Sequence, residues 1–563
     1  MSENKKEKIE INIWRNFFMY LKPYKVEFIK LSLLMILLGI LDSIFPLLDK
    51  YAIDNLIGES TIDGLAVYAI LYLLVIGLLS LSVYLFIYYG SIIENKMAYD
   101  IRKLGFDKLQ NLSLSYYDDQ ALGWIMARMT SDINRLSATI SWSLVDISWG
   151  FSTMFFVSIF MFKLNVKLAF LTIAVVPILA LVSSWFQKKI LKTQRSIREV
   201  NSKITAAYNE DIQGAQTSKT LLREELNLSE FQALTEEMKR KSIKSTLISA
   251  FYLPLVLSLS SIATALSLNF GGNLVLEKTI SYGSLLAFIH YSSLFFQPIR
   301  QLAVIISEFQ GAQASAERVF QLLNEEEEII DEVNLVFQPD NMPKIKGKIE
   351  FKNVSFSYKN GGKVLNKVNF KVNPGETIAL VGSTGSGKST IVNLISRFYQ
   401  TDEGEILIDD INYRRAPQSW IHSNLGYVLQ DPHLFSGTIM DNIRYGKLEA
   451  SDDEVIQAAK LVKAHNFIIK MEDGYQTKVG ESGGLLSTGE KQLISLARAL
   501  IGDPSLFILD EATSSIDTKT EATIQQAIDQ VLENRTAFII AHRLSTIRNA
   551  DRIFVIDNGE IIE

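Results

Sequence analysis

Six apolar stretches, at 26–53, 65–93, 133–162, 168–186, 247–276 and 282–306, fill most of the first 310 residues. At about 1.5 Å of rise per residue, each is long enough to cross roughly 30 Å of hydrocarbon as a helix. Inside lipid every backbone N–H and C=O must find its partner within the protein, so the pattern predicts three helical hairpins. The polar stretch between the second and third spans carries Lys96, Arg102, Lys103, Lys108, Arg128 and Arg135. That between the fourth and fifth carries Lys188, Lys189, Lys192, Arg195, Arg198 and further cations as far as Lys244. The opposite connections, 55–64, 163–167 and 277–280, are short and carry few cations. The asymmetry of Lys and Arg therefore predicts a cytoplasmic position for both long stretches and for both termini. Their 3.6-residue period and scarcity of Gly and Pro predict that the helices run on well past the bilayer.

A chain of 563 residues with 48% hydrophobic side chains exceeds one ordinary soluble domain. Its 56 basic and 62 acidic residues leave a net charge of -6, without the basic excess that a nucleic-acid partner would select. Cysteine is absent, which excludes disulfides, thiolate zinc sites and iron–sulfur clusters. The charged N-terminus passes through Trp14-Arg15-Asn16-Phe17-Phe18 into a long apolar span, so no removable signal peptide is expected.

From Ile349 the period changes. The segment 349–358 alternates apolar and polar residues, as a half-buried strand does. The apolar run 377–381 then leads into Gly382-Ser383-Thr384-Gly385-Ser386-Gly387-Lys388-Ser389, which fits the phosphate-loop pattern, with Thr390 in the helix that follows. Glycines let successive N–H groups curl round a β-phosphate, Lys388 reaches the β and γ oxygens, and the Ser389 hydroxyl is suited to Mg²⁺. A second apolar run ends in Asp510 and Glu511, at the strand end where open α/β sheets place their ligands. Asp510 is expected to hold Mg²⁺, directly or through water. Glu511 is expected to accept a proton from the attacking water, and His542, after the run 536–540, to sense or orient the γ-phosphate.

The stretch Leu486-Ser487-Thr488-Gly489-Glu490-Lys491-Gln492 resembles the signature motif of ATP-binding cassette (ABC) proteins. With it come Tyr358 where the family stacks adenine, Gln430 in Val428-Leu429-Gln430, Ser514-Ser515-Ile516-Asp517 as D-loop and Ala541-His542-Arg543 as switch histidine. The six spans, from Trp14 to about Gln313, resemble the membrane domain of bacterial half-size exporters of the multidrug or lipid type. Tyr117-Asp118 with Gly123, Arg128 and Asp132 resembles the first intracellular coupling loop, and 222–231 the second.

The resemblance implies a multi-domain chain: an all-α six-helix transmembrane domain, then an α/β ABC-type phosphate-loop domain with a helical subdomain. The expected layout is a cytoplasmic segment and elbow helix over 1–24, the membrane domain over 25–323, a linker over 324–348 and the cassette over 349–563. The acidic run Glu325–Glu328 reads as solvated linker, and a further short helix is expected beyond Glu563. The implied activity is ATP hydrolysis coupled to export of amphipathic small molecules across the cytoplasmic membrane, with ATP and Mg²⁺ as ligands and Ser389, Gln430 and Asp510 around the metal. An ATP-gated regulatory or channel-like membrane protein, or a lipid- or peptide-specific exporter, is the alternative.

One chain with one cassette is half of such a machine. The signature helix starting near Ser487 aims its orphan N–H groups at an anion, which the resemblance identifies as ATP on a second subunit. Residues Ser487, Thr488, Gly489 and Glu490 would then face the partner's nucleotide. The family has Gly where this chain has Thr488 and Gln where it has Glu490. A carboxylate about 8 Å from another unit charge, at an effective dielectric near 20, is repelled by roughly 2 kcal/mol. Ser487 to Glu490 is equally an S-x-x-E capping box. Such signatures beside an intact Asp-Glu pair resemble the catalytically competent subunit of heterodimeric exporters; a homodimer is the alternative.

Asp42, Asp146 and His290 are titratable groups within apolar spans, where a central acid costs roughly 2.5–3.5 kcal/mol. They either face a cavity that takes cationic substrates or hydrogen-bond between helices. Trp142, Trp149, Phe155, Phe156, Tyr291, Phe295 and Phe296 either line such a cavity or pack in the bundle.

Overall fold

The computed structural model describes residues 22–58, 63–331, 335–337, 341–359, 361–510, 518–541 and 547–563. Most of the expected N-terminal segment, Glu511, the Ser514–Asp517 loop and His542 lie outside the described residues. The chain forms two compact units, one of residues up to 109 with 123–324, the other of 110–122 with 325–563.

The first unit is helical. Its long helices are Lys25–Tyr51, Leu65–Asn111, Ile133–Leu164, Val175–Gln213, Glu224–Leu276 and Tyr282–Leu323. The helix Glu224–Leu276 has 53 residues, about 80 Å at helical rise and far more than a bilayer needs. The cationic stretches are helical over most of their length, with breaks at 112–113, 120–121 and 221–223. Among the described residues, five helices are long and apolar enough to cross a membrane. The sixth in order, Tyr282–Leu323, interleaves Ser284, His290, Ser292 and Gln297 with its apolar positions. It can do so because its Ala287, Phe288, Tyr291, Phe295 and Phe296 are buried in the unit's core, not turned to lipid.

Small residues let the helices approach closely. Ser137, Ser141, Ser143 and Thr153 on Ile133–Leu164 are fully buried. A Cβ on Gly39 would overlap Ser152, and one on Gly150 would come within 3.0 Å of Pro298. The polar groups of the spans then link neighbours. Asp42 accepts a hydrogen bond from Trp149 Nε1 at 2.9 Å, His290 Nδ1 lies 3.1 Å from Asp49, and Tyr291 donates to the Ser43 carbonyl at 2.7 Å. Asp132 takes Arg318 Nε at 2.7 Å and Ser315 Oγ at 2.9 Å. Asp42 and His290 therefore make interhelical bonds. Of the aromatic set, Tyr291, Phe295 and Phe296 are core, whereas Phe155 is exposed.

Because Asp42 is held by Trp149, Asp42→Asn should reduce efflux of a cationic and a neutral dye alike, by about the same factor, since a membrane hydrogen bond of this kind is worth about 0.6 kcal/mol. Dye efflux normalised to membrane expression reads this out. A loss confined to the cationic dye would show that Asp42 faces substrate.

The second unit is built on two sheets. An antiparallel sheet has the order β2-β1-β4-β5, from β1 (Ile349–Ser357), β2 (Lys363–Val372), β4 (Glu403–Ile408) and β5 (Ile411–Asn412). The second sheet, β10-β9-β3-β8-β7-β6, contains β3 (Thr377–Val381), β6 (Leu425–Val428), β7 (Leu506–Asp510), β8 (Thr536–Ile540), β9 (Arg552–Asp557) and β10 (Glu560–Ile561). Strands β9, β3, β8, β7 and β6 run parallel. Every residue of β8 and the first four of β7 are buried, as expected for strands covered on both faces. Because β8 lies between β3 and β7, the chain leaves β3 at Val381 and β7 at Asp510 on the same carboxyl edge. A helical segment holding Ile439–Arg444, Asp452–Leu461 and Thr488–Leu500 shares a core with β6, β7 and β8.

Candidate nucleotide site

The phosphate loop joins β3 to the helix Lys388–Ile395. Gly385 and Gly387 have φ of +82° and +111°, a region that only glycine adopts without strain. A Cβ on Gly387 would also come within 2.7 Å of Leu365. Lys388 is buried and donates to the carbonyls of Gly382 at 3.0 Å and Ser383 at 2.8 Å. Burial lowers its pKa, and the charge of Asp510 opposes that shift. The buried Ser386 hydroxyl has no hydrogen-bond partner among the described residues, and Ser386 O accepts the Gly559 N–H at 3.1 Å. The loop thus rests on the β9–β10 turn, its lysine folded back on its own carbonyls and one buried hydroxyl unspent.

Ser383, Thr384 and Ser389 are exposed, while Thr390 is buried. Thr390 Oγ1 lies 3.2 Å from the hydroxyl of Tyr358, which ties the half-buried Tyr358 ring to the helix after the loop. Asp510 is half-buried at the end of β7, and Gln430 is exposed just beyond β6. Hydroxyl, carboxylate and amide oxygens from Ser389, Asp510 and Gln430 are the hard donors that Mg²⁺ takes. Among the described residues no cluster of three or more His, Asp or Glu forms an all-protein cage.

At the signature, Ser487 is the N-cap of the helix Thr488–Leu500 and the capping box is complete. Glu490 Oε2 accepts the Ser487 N–H at 2.9 Å and the Ser487 hydroxyl at 2.8 Å. Ser487 and Thr488 are exposed and Gly489 is buried. Further along the helix, Arg498 donates to His433 O at 2.8 Å, Asn442 O at 2.9 Å and Asn442 Oδ1 at 2.7 Å, and faces the Phe435 ring. It fastens the segment after Gln430 to the signature helix. Its place within an apolar helical run is the only trace of this in the sequence.

Glu326 and Glu328 of the acidic run are exposed, and Glu328 also makes specific contacts. Glu328 accepts from Ser113 Oγ at 3.5 Å and from Ser115 Oγ, and pairs with Lys359 at 3.3 Å. The Ser115 bond foremost, then Lys359, holds its carboxyl below the usual range. Tyr399 donates to Asp118, which the sequence had grouped only with a coupling loop.

Comparison with known proteins finds a membrane region followed by a nucleotide-binding domain. The chain matches the ABC transporter transmembrane region family over residues 28–299 and the ABC transporter family over 365–514. It is 38% identical over 557 residues to the uncharacterized ABC transporter ATP-binding protein YknV of Bacillus subtilis, covering 98% of this chain and 91% of the relative. It is 34% identical to the putative multidrug export ATP-binding/permease protein YgaD of Bacillus subtilis, covering 98% and 96%. It is 37% identical to a fatty acid ABC transporter ATP-binding/permease protein of Mycobacterium bovis, covering 81% and 72%. The chain belongs to the ABC transporter family, as a half-transporter of the exporter type that couples ATP hydrolysis to transport through a helical membrane domain and an ATP-binding domain in one polypeptide.

Proposed function

We propose that this chain is the catalytically competent half of a heterodimeric exporter that moves amphipathic small molecules, drug-like or lipid-like, out across the cytoplasmic membrane. Both termini and the cassette lie on the cytoplasmic side, in keeping with the cationic polar stretches. ATP with Mg²⁺ binds at its own phosphate loop. Tyr358 stacks the adenine, the Gly382–Thr390 backbone and Lys388 hold the phosphates, and Ser389, Gln430 and Asp510 face the metal. Glu511 takes the proton of the attacking water and His542 orients the γ-phosphate. The metal supplies charge compensation for the phosphates when bound. Lys388 supplies the fixed positive charge, and its carbonyl contacts are exchanged for phosphate oxygens.

The observation that carries the heterodimer reading is the position of the Glu490 carboxylate on the N–H and hydroxyl of Ser487. A helix N-terminus attracts anions through unspent N–H groups. Here the chain's own carboxylate takes one of those donors and brings a negative charge toward any phosphate approaching from a partner. The signature therefore serves its partner's ATP poorly, while Lys388 and Asp510 stand in place for ATP at this chain's own site. Two copies of this chain would make two handicapped sites. A partner with an ordinary signature would leave one good one. The relatives named for multidrug export and for fatty acid transport support the amphipathic substrate class.

Purification of the chain alone and together with a second half-transporter, each in lipid nanodiscs, tests this. The pair should hydrolyse ATP at least about tenfold faster than the lone chain, because roughly 2 kcal/mol of repulsion bears on both sites of a homodimer. A lone chain with full, drug-stimulated ATPase would refute the heterodimer.

A further inference from the structure

The helix Leu114–Asp119 has six residues and no side-chain hydrogen bond at its N-cap, Ser113. A helix this short is not stable by itself, so its place depends on the contacts that hold it. Two of these lead to the same part of the cassette.

At one end, Asp118 accepts the hydroxyl of Tyr399. Tyr399 is 8% exposed, and its ring meets Tyr358 edge-on, with centroids 5.3 Å apart at 84°, and Phe356 at 5.7 Å. Edge-to-face packing of this kind has a preferred geometry, so displacement of one ring bears on the other. Burial raises the Tyr399 pKa, so the phenol remains a donor at physiological pH. At the other end, Ser113 and Ser115 donate to Glu328, which pairs with Lys359, the residue next to Tyr358. That pair is exposed and worth little as an isolated salt bridge. The two serine hydroxyls and the enclosed Tyr399 arm make it part of a frame. Tyr358 is also braced from behind by Thr390, in the helix that follows the phosphate loop.

We propose that Tyr399 and Glu328 are positioning residues that join the adenine face of this cassette to the helix Leu114–Asp119 of the same chain, so that a nucleotide docking on Tyr358 fixes that helix in cis. The proposal rests on the assignment of Tyr358 to adenine. It adds to the coupling-loop resemblance a route from base recognition, independent of the γ-phosphate and of the signature. Any nucleotide with a purine base that stacks on Tyr358 should act through it, the diphosphate included.

The test is hydrogen–deuterium exchange of the segment 110–122 in the full dimer in nanodiscs, with and without ADP or a non-hydrolysable ATP analogue. In the unaltered protein both nucleotides should slow exchange there by about tenfold or more, a factor worth 1.4 kcal/mol. Tyr399→Phe keeps the ring and loses only the donor, and Glu328→Gln removes the charge. Each should lose at least half of the logarithmic protection, and the double variant nearly all, while nucleotide affinity stays within about twofold. Wild-type protection in both single variants would overturn the link. So would the absence of any nucleotide effect in the unaltered protein. If Tyr399→Phe fails to fold, Glu328→Gln decides alone. Tyr358→Ala separates the two levels: an unchanged nucleotide affinity retires the adenine assignment and this inference with it, whereas impaired affinity beside unchanged protection in the other variants retires the link only.

Discussion

Replacing Glu511 by Gln in this chain is expected to leave ATP binding intact and to cut ATP turnover about a hundredfold or more. The change keeps the size and one acceptor oxygen of the side chain but removes the basicity that lets it take a proton. Glu511 directly follows Asp510 in the sequence, and Asp510 ends strand β7 on the sheet edge that also carries the phosphate loop. Nucleotide should accumulate in the arrested dimer, because binding continues while the hydrolysis that clears the site is blocked. ATPase rate and retained nucleotide, measured on the purified pair, are the readouts. Near-normal turnover would remove Glu511 from its role. The equivalent change in the partner should matter much less, since the site it would disable is the one already served by Glu490.

Restoring the signature has the opposite sign. In the proposed dimer, Thr488→Gly with Glu490→Gln removes a Cβ and a charge from the helix end that would face the partner's ATP. At about 8 Å and an effective dielectric near 20 the charge alone accounts for roughly 2 kcal/mol, so nucleotide affinity at the partner's site should rise by about thirtyfold. Gln at the third helical position can still accept from the Ser487 N–H, so the cap and the helix Thr488–Leu500 survive. Transport should continue, with the slower site now holding nucleotide more tightly. Binding isotherms of the arrested pair should therefore converge from two affinities towards one. An unchanged second affinity would mean that Glu490 is no more than a cap.

How far these sites were legible in the sequence follows the range of the interactions. The phosphate loop is a strand, eight residues and a helix, and its glycines answer to local backbone demands at Gly385 and Gly387. The capping box of Ser487 and Glu490 spans three residues and was equally legible. The helical spans followed from composition. Which face of each span meets a neighbour did not, because a helix apolar on all sides has no face that periodicity can single out. Asp42 was open between cavity and interhelical bond until Trp149, 107 residues away, was found to donate to it. The contacts of the exposed Glu328 were not legible because its partners Ser115 and Lys359 are 213 and 31 residues off. The bond from Tyr399 to Asp118 closes 281 residues and has no local trace.

In the proposed heterodimer the two ATP sites are unequal, and the working one is built on this chain's phosphate loop. The most direct measurement traps a photoreactive ATP analogue with vanadate during turnover of the purified pair, then maps which subunit carries the label. Labelling confined to the site containing Lys388 and Asp510 of this chain is predicted. Equal labelling of both phosphate loops would contradict the account.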